Sequence, residues 1–408
     1  MKSDIDKLME QRQLDAIVVT GGEQYSDVAD YMSNGAHTSG GFILKLRGQT
    51  PLLVVGGMEI EEARKSGYPC MTWGDLGYFD LVKQHGIKDG ILHFWGAMLH
   101  HINLTSGTIG LYGVDSVHVT IDLYERLKAH YPQYTFKGES GRTLFQEAYL
   151  TKDTQEMKRI LSVAERTNAV VQQVWDYIAS HRADATGNVV DAAGNALTVG
   201  KVKDFARSAL LNVGLEDTHM IFAPGRDGGF PHSRGEDPTP VIVGEAIVFD
   251  FFPREQGGGY CHDMTRTWCV NTVPPQVQEA FDDVMNAFDI AVETYALGKG
   301  THTMQEAVLD YFEGKGHPTG RNTSNPTEGY VHSLGHGIGL NIHEAPSISH
   351  LRKEDTFQIG NVITIEPGLY YPERGFGIRV EDSFIINENG ELISITPFKK
   401  DLLLRLEG

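Results

Sequence analysis

The stretch VFDFFPREQGGGYCHDMTRT, residues 248–267, reads as a β-hairpin. Val248 to Phe252 is β-branched and aromatic, Tyr260 to Trp268 is strand-like again, and the polar, glycine-rich run between them supplies a turn. In a hairpin the numbers of paired residues sum to a constant, so a turn centred on Gln256 and Gly257 sets Asp250 opposite Asp263. Like charges facing each other across a ladder destabilise it. The pair therefore needs a reason outside the sheet.

The arrangement recurs in ITIEPGLYYPERGFGIRVED, residues 363–382, where Pro372, Glu373, Arg374 and Gly375 signal the reversal and pairing about their centre sets Glu366 opposite Glu381. Four carboxylates in facing pairs are compatible with a stable fold when cations lie between them; otherwise repulsion pushes protons onto some of them. Oxygen ligands alone suit Mn²⁺, Mg²⁺ or Ca²⁺, and a nitrogen ligand shifts the choice toward Mn, Co, Fe or Zn. Histidines that could supply it stand in HSLGHGIGLNIHEAP, residues 332–346. Gly335, Gly337 and Gly339 each cost a helix roughly 1 kcal/mol against alanine, so the segment is expected to be extended, with one face free of side chains. His336 and His343 then point to opposite faces of a regular strand. That leaves one for a metal and the other, after a bend near Asn341, for a substrate.

Around these motifs the 408 residues divide by pattern. Residues 1–150 read as an α/β unit: a short helix, the strand LDAIVV, the strands GFILKL and TPLLVV about the turn RGQ, then helices such as IDLYERLKAHY. The composition changes at a long amphipathic helix, 153–180, opened by a capping box of Asp153 and Glu156. Beyond it, helices predicted at 198–212, 275–297 and 303–313 alternate with hairpins, which makes the chain α+β with antiparallel pairing. Thr303 and Glu306 form a second predicted capping box.

The charge balance, 35 basic against 54 acidic residues and a net −19, repels phosphate backbones and anionic membranes, so neither nucleic acid nor a membrane is an expected partner. The first residues carry scattered charges without an apolar core, and no run of 18 apolar residues occurs anywhere, as expected of a soluble, unexported protein. Three cysteines suit a reducing cytoplasm.

Taken in order, FDFF, YCHDMTRT, HSLGHGIGLNIHEAP, ITIEPGLY and GIRVEDSF make residues 151–408 resemble the pita-bread metallopeptidases, the group of methionine aminopeptidase, aminopeptidase P, prolidase and the creatinases. Residues 1–150 resemble the creatinase-type domain that aminopeptidase P and prolidase carry. The resemblance implies a creatinase-like α/β domain followed by a pita-bread catalytic domain. It implies two divalent ions, manganese first and Co, Zn or Fe as substitutes, with Asp250 on one ion, Asp263 and Glu381 bridging both, and His336 and Glu366 completing the second. Glu366 is then the general base. His343, and His232 in GGFPHSRG (228–235), donate hydrogen bonds to the reacting peptide, and Arg379 orients a carboxylate or belongs to a structural ion pair.

The implied activity is hydrolysis of Xaa-Pro bonds in dipeptides or short peptides by a homodimer or larger assembly. Phe230, Tyr370 and Tyr371 are expected either to face the proline ring or to be core. Cys261, on the same strand face as Asp263, is expected to be a small buried core residue, with soft ligation of a metal as the alternative; Asp382 is expected outside the site, and His262 is expected to be solvated or structural. A metal-free, creatinase-like hydrolase of a small amidine and a non-catalytic binding protein on the same fold are the alternatives; both fit poorly with five filled ligand positions.

Overall fold

The structure is a computed structural model that describes residues 1–22, 24–114 and 116–407. Two compact units emerge, Met1–Ala148 with Gly257–Gly259, and Tyr149–Gln256 with Tyr260–Gly408.

In the first unit a six-stranded sheet runs in the order Cys70–Thr72, Leu52–Val55, Gly41–Leu46, Ala16–Gly21, Gly107–Gly113, Tyr134–Lys137. The strands on either side of the RGQ turn pair antiparallel, Phe42 with Val54, while Ala16–Gly21, Gly107–Gly113 and Tyr134–Lys137 run parallel. Apolar strand residues such as Val18, Leu44 and Val54 meet Trp95, Met98 and Leu99 from the helix Tyr78–His101. That helix breaks at Gly86, whose φ of 76° is one that a side chain strongly disfavours.

The second unit opens with the helix Thr154–Ala179. Asp153 accepts hydrogen bonds from the N–H groups of Gln155 and Glu156 at 2.8 and 2.9 Å, and Glu156 accepts from the Asp153 N–H at 2.8 Å, which completes the capping box. Helices Val199–Asn212, Pro275–Thr294 and His302–Gly314 follow. The second predicted capping box does not form. Helix His302–Gly314 has Thr301 at its N-cap, the Thr301 hydroxyl donates to the Ser347 carbonyl, and Thr303 turns back to the Gly300 carbonyl.

Two antiparallel-rich sheets carry the rest. One orders Ile221–Pro224, Ala246–Phe251, Met264–Val270 and Leu403–Leu404; the other orders Glu344–Ile348, Gly335–Gly337, Val362–Ile365, Asp382–Ile386 and Leu392–Ser394. A separate two-stranded ribbon pairs Gly368–Tyr371 with Phe376–Arg379. Every residue of Ala246–Phe251 and Met264–Val270 is buried, so these strands are covered on both faces. Val277, Phe281, Val284 and Phe288 of the helix Pro275–Thr294 share a core with Ile363, Ile365, Leu369 and Ile378 from the strands. Among the described residues no helix is long and apolar enough to cross a membrane.

Candidate metal centre

The first hairpin forms with a register two residues away from the one expected. Asp250 pairs with Thr265 and Phe251 with Met264, and the isolated pairing of Arg254 with Cys261 continues the same register toward the turn. The reversal is centred on Gly257 and Gly258, because Gly257, Gly258 and Gly259 all take positive φ and the bend settles on them. Asp263 is therefore diagonal to Asp250, one pleat along on the same face. A shift of two preserves side-chain parity, so both carboxylates still point the same way.

The second ribbon pairs Gly368 with Arg379 and Leu369 with Ile378, and the ladder Val362–Ile365 with Asp382–Ile386 keeps the same sum, Ile365 lying opposite Asp382. Glu366 and Glu381 fall between the two ladders, facing each other. There Glu381 pairs with Thr265, its N–H donating to the Thr265 carbonyl at 3.0 Å, which sews one hairpin to the other. Glu366 is anchored through its N–H to the Leu334 carbonyl at 2.8 Å.

The histidine segment is not extended throughout. Gly335–Gly337 pairs antiparallel with Glu344–Ile348, the register slips between His336 and Gly337, and the chain reverses between them. The parity argument for His336 and His343 therefore lapses: their rings lie 4.4 Å apart, edge to face, on the same side. The glycines have the role assigned to them, since a Cβ at Gly335 would run into the Thr364 carbonyl and one at Gly337 into the Ala345 carbonyl.

The result is a buried nest of acids around one imidazole. Ligand atoms of Asp263, His336 and Glu381 lie within 4.8 Å of one another. His336 Nε2 is 3.4 Å from Glu366 Oε1 and 3.7 Å from Asp263 Oδ2. Burial holds the His336 imidazole down at about 3, so it is uncharged at neutral pH and these contacts are not ion pairs. Burial and then the charge of Glu381 push the Asp263 and Glu366 carboxyls well above the carboxylate range. Glu381 rises to about 8 through burial and then Asp250. Thr265 Oγ1 stands 3.1 Å from Asp250 Oδ1 and 2.7 Å from Glu381 Oε2, and its one proton can serve only one of them. Among the described residues Asp263 Oδ1 and Glu381 Oε1 are buried without a hydrogen-bond partner.

Orphaned carboxylate oxygens and a neutral imidazole with its Nε2 turned toward them fit divalent cations. A cation removes the repulsion that otherwise protonates these acids, and mixed O and N donors favour Mn, Co, Fe or Zn.

Arg379 is buried, and each of its nitrogens is engaged. Nη2 pairs with Asp250 Oδ2, Nε donates to Thr265 Oγ1 at 3.1 Å, and Nη1 donates to the Tyr370 hydroxyl at 2.9 Å and the Pro231 carbonyl at 3.3 Å. Four of its five N–H groups are thereby directed at protein acceptors, so the ion-pair alternative describes its geometry. His343 and His232 are both exposed, and His232 lies near enough to help depress His343, after burial.

Of the three aromatics, Tyr370 and Tyr371 are core: Tyr370 OH meets Arg379 and, at 2.9 Å, His332 Nε2, while Tyr371 OH meets His317. Phe230 alone is exposed, at 39%. Cys261 is buried and its thiol pushed up by burial; His262 is fully buried against Thr396 Oγ1; Asp382 is held by Arg266 and Lys400. Thr265 and His332 were missed from sequence. Thr265 shares strand parity with Asp263, and His332 precedes His336 by one helical-looking spacing in a segment that is not helical; only the first of these signals was available in advance.

A sheet-built cage of acids around a neutral imidazole defines a candidate divalent-metal centre. The chain belongs to metallopeptidase family M24, whose family model matches residues 158–388, more than half of its length. It is 32% identical over 185 residues to peptidase YqhT of Bacillus subtilis, covering 45% of this chain and 48% of that protein. It is 33% identical over 186 residues to the Xaa-Pro dipeptidase of Pyrococcus furiosus, again 45% and 48%. The aligned part thus spans about half the length of these curated relatives. The crystal structure of X-Pro aminopeptidase from Thermotoga maritima matches with a TM-score of 0.76 at 21% identity, over 97% of this chain and 99% of that one. The α+β architecture with a pita-bread second unit, expected from sequence, is the one found.

Proposed function

We propose that the chain is a dinuclear metal-dependent peptidase that cleaves Xaa-Pro bonds in dipeptides or short peptides. The observation that carries this reading is the cluster of Asp263, His336 and Glu381, with Glu366 3.4 Å from His336 and Asp250 linked to Glu381 through Thr265, and with two carboxylate oxygens orphaned among the described residues. Residues 1–150 are taken as a creatinase-type domain and 151–408 as the catalytic domain, acting in the cytoplasm as a homodimer or larger assembly.

Asp250, Asp263, His336, Glu366 and Glu381 would hold the ions, with manganese preferred. Divalent ions there would polarise the scissile carbonyl and lower the pKa of the attacking water. Glu366 would take the proton from that water and return it to the leaving nitrogen, a task suited to a carboxylate whose proton affinity burial raises. His343 and His232, exposed beside the cage, donate to the carbonyl oxygen as negative charge develops, each such donor contributing on the order of 3 kcal/mol in the transition state. The leaving nitrogen before proline carries no N–H, and the exposed Phe230 ring can face the pyrrolidine. Arg379 is assigned to Asp250: it holds the carboxylate in place instead of binding substrate.

A non-catalytic protein, or a metal-free hydrolase of a small amidine, has no use for buried carboxylates that repel one another. The test is metal analysis of the purified chain together with hydrolysis of Gly-Pro and Gly-Pro-Xaa peptides in Mn²⁺. Near two equivalents of metal and turnover of at least one peptide are expected. Less than about one equivalent, with no turnover after Mn²⁺ is added, refutes the proposal.

A further inference from the structure

His343 is the site residue with the least support. Its exposed ring meets His336 edge to face, and among the described residues nothing hydrogen-bonds to it. Its position is therefore set by the backbone of the reversal that carries it. The first part of that reversal is fixed by the sheet: the Ile338 N–H donates to the Val362 carbonyl at 3.0 Å, and the Gly339 carbonyl accepts from the Cys261 N–H at 2.8 Å. The second part is fixed differently. Glu344 folds back, and its Oε1 accepts from the Asn341 N–H at 3.0 Å, closing a loop with only Ile342 and His343 inside it.

The other oxygen of that carboxylate reaches Lys152. Glu344 Oε2 lies 2.8 Å from Lys152 Nζ, with side chains 4% and 1% exposed. Lys152 also donates through Nζ to the Tyr149 carbonyl at 2.7 Å, and its N–H donates to the Gly360 carbonyl at 2.8 Å. It stands two residues ahead of the long capped helix Thr154–Ala179. Gly339 leaves the room this requires, because a Cβ there would meet the Glu344 carboxylate. A buried ion pair brings little net stability over an apolar pair of the same volume, so its worth lies in fixing geometry.

We infer that Lys152 and Glu344 are positioning residues for the reaction, a buried clamp that sets where the His343 imidazole stands while leaving the metal cage to the strands. The inference rests on the peptidase reading above for its catalytic consequence. Neither side chain touches the cage: His336 pairs with Ser347 across its ladder, and its N–H donates to Thr364 Oγ1 at 3.2 Å.

The experiment is a double-mutant cycle on the full, Mn²⁺-loaded chain with Gly-Pro as substrate. Lys152→Met and Glu344→Gln are each expected to lower kcat about 10- to 100-fold, the size of a misplaced catalytic donor. KM is expected to stay within about twofold and manganese content to stay unchanged. In a His343→Ala background the same substitutions are expected to cost less than about twofold more, because the residue they position is gone. Losses that multiply across the cycle, or manganese content that falls with them, overturn the clamp. Glu344→Gln keeps the acceptor for Asn341 and the side-chain shape, and it carries the test if Lys152→Met does not fold.

Failure of the function reading is separable, since a wild-type chain that cleaves neither peptide refutes that reading alone. Amide exchange of residues 338–343 in the same variants then decides the clamp. Faster exchange confined to that segment supports it, and unchanged exchange overturns it.

Discussion

Stripping the metal from the folded chain should invert the usual dependence of stability on pH. Glu381 is pushed up to about 8 from a carboxylate value of 4.5 by burial and then Asp250, and Asp263 and Glu366 move in the same direction. A raised folded-state pKa means that the folded chain binds the proton more tightly than the unfolded one. The stability this contributes is fully present below about 4.5 and is lost as pH rises through about 8. His336, held down at about 3, works the opposite way, but its effect is complete once pH exceeds the ordinary imidazole value of 6.5.

The clean window is therefore about pH 6.5 to 8, where Glu381 alone should cost the metal-free chain about 1.5 kcal/mol, and the other two acids add to it. Urea unfolding of chelator-treated protein at several pH values measures the slope, and the same series in Mn²⁺ should abolish it. A metal-free chain whose stability is flat or rises across that window would refute the electrostatic account of the cage.

Three further outcomes follow from the same contacts. Arg379→Met should destabilise the metal-free chain by about 3–5 kcal/mol, the cost of stranding a buried charge, and by less once Mn²⁺ faces Asp250; equal losses in both forms would show that Arg379 does not share the cage's charge. Thr265→Val removes the hydroxyl between Asp250 and Glu381, and unfolding should show a loss of about 1–3 kcal/mol, with weaker manganese affinity by titration. Gly337→Ala drives a Cβ into the Ala345 carbonyl, so metal analysis should find the purified variant depleted at the site that includes His336, with the helical circular dichroism retained.

Local rules carried a good part of the way. Alternation with period two and the turn residues Pro372 to Gly375 placed Glu366 opposite Glu381, and that register is the one observed, because a single proline and a single glycine bracket the bend. The first hairpin offered three consecutive glycines, any of which can take positive φ, and the sequence does not say where along them the chain turns. The error of two residues was harmless for direction, since parity survives it. The segment 332–346 was misjudged in shape for a related reason: alternating glycines exclude a helix but permit both an extended strand and a reversal, and pairing with Val362–Ile365 and the clamp at Glu344 select the reversal.

By itself the sequence determined which residues are acids on strands, which way they point within each hairpin, and where the long helix Thr154–Ala179 begins. The meeting of those hairpins was decided by the tertiary structure alone. The Thr265–Glu381 pairing that joins them, the guanidinium of Arg379 against Asp250, and Lys152 against Glu344 all link residues more than a hundred positions apart. Periodicity and turn chemistry act over a few residues, whereas burial, charge repulsion and its relief depend on which side chains share a volume, and only the packed fold fixes that.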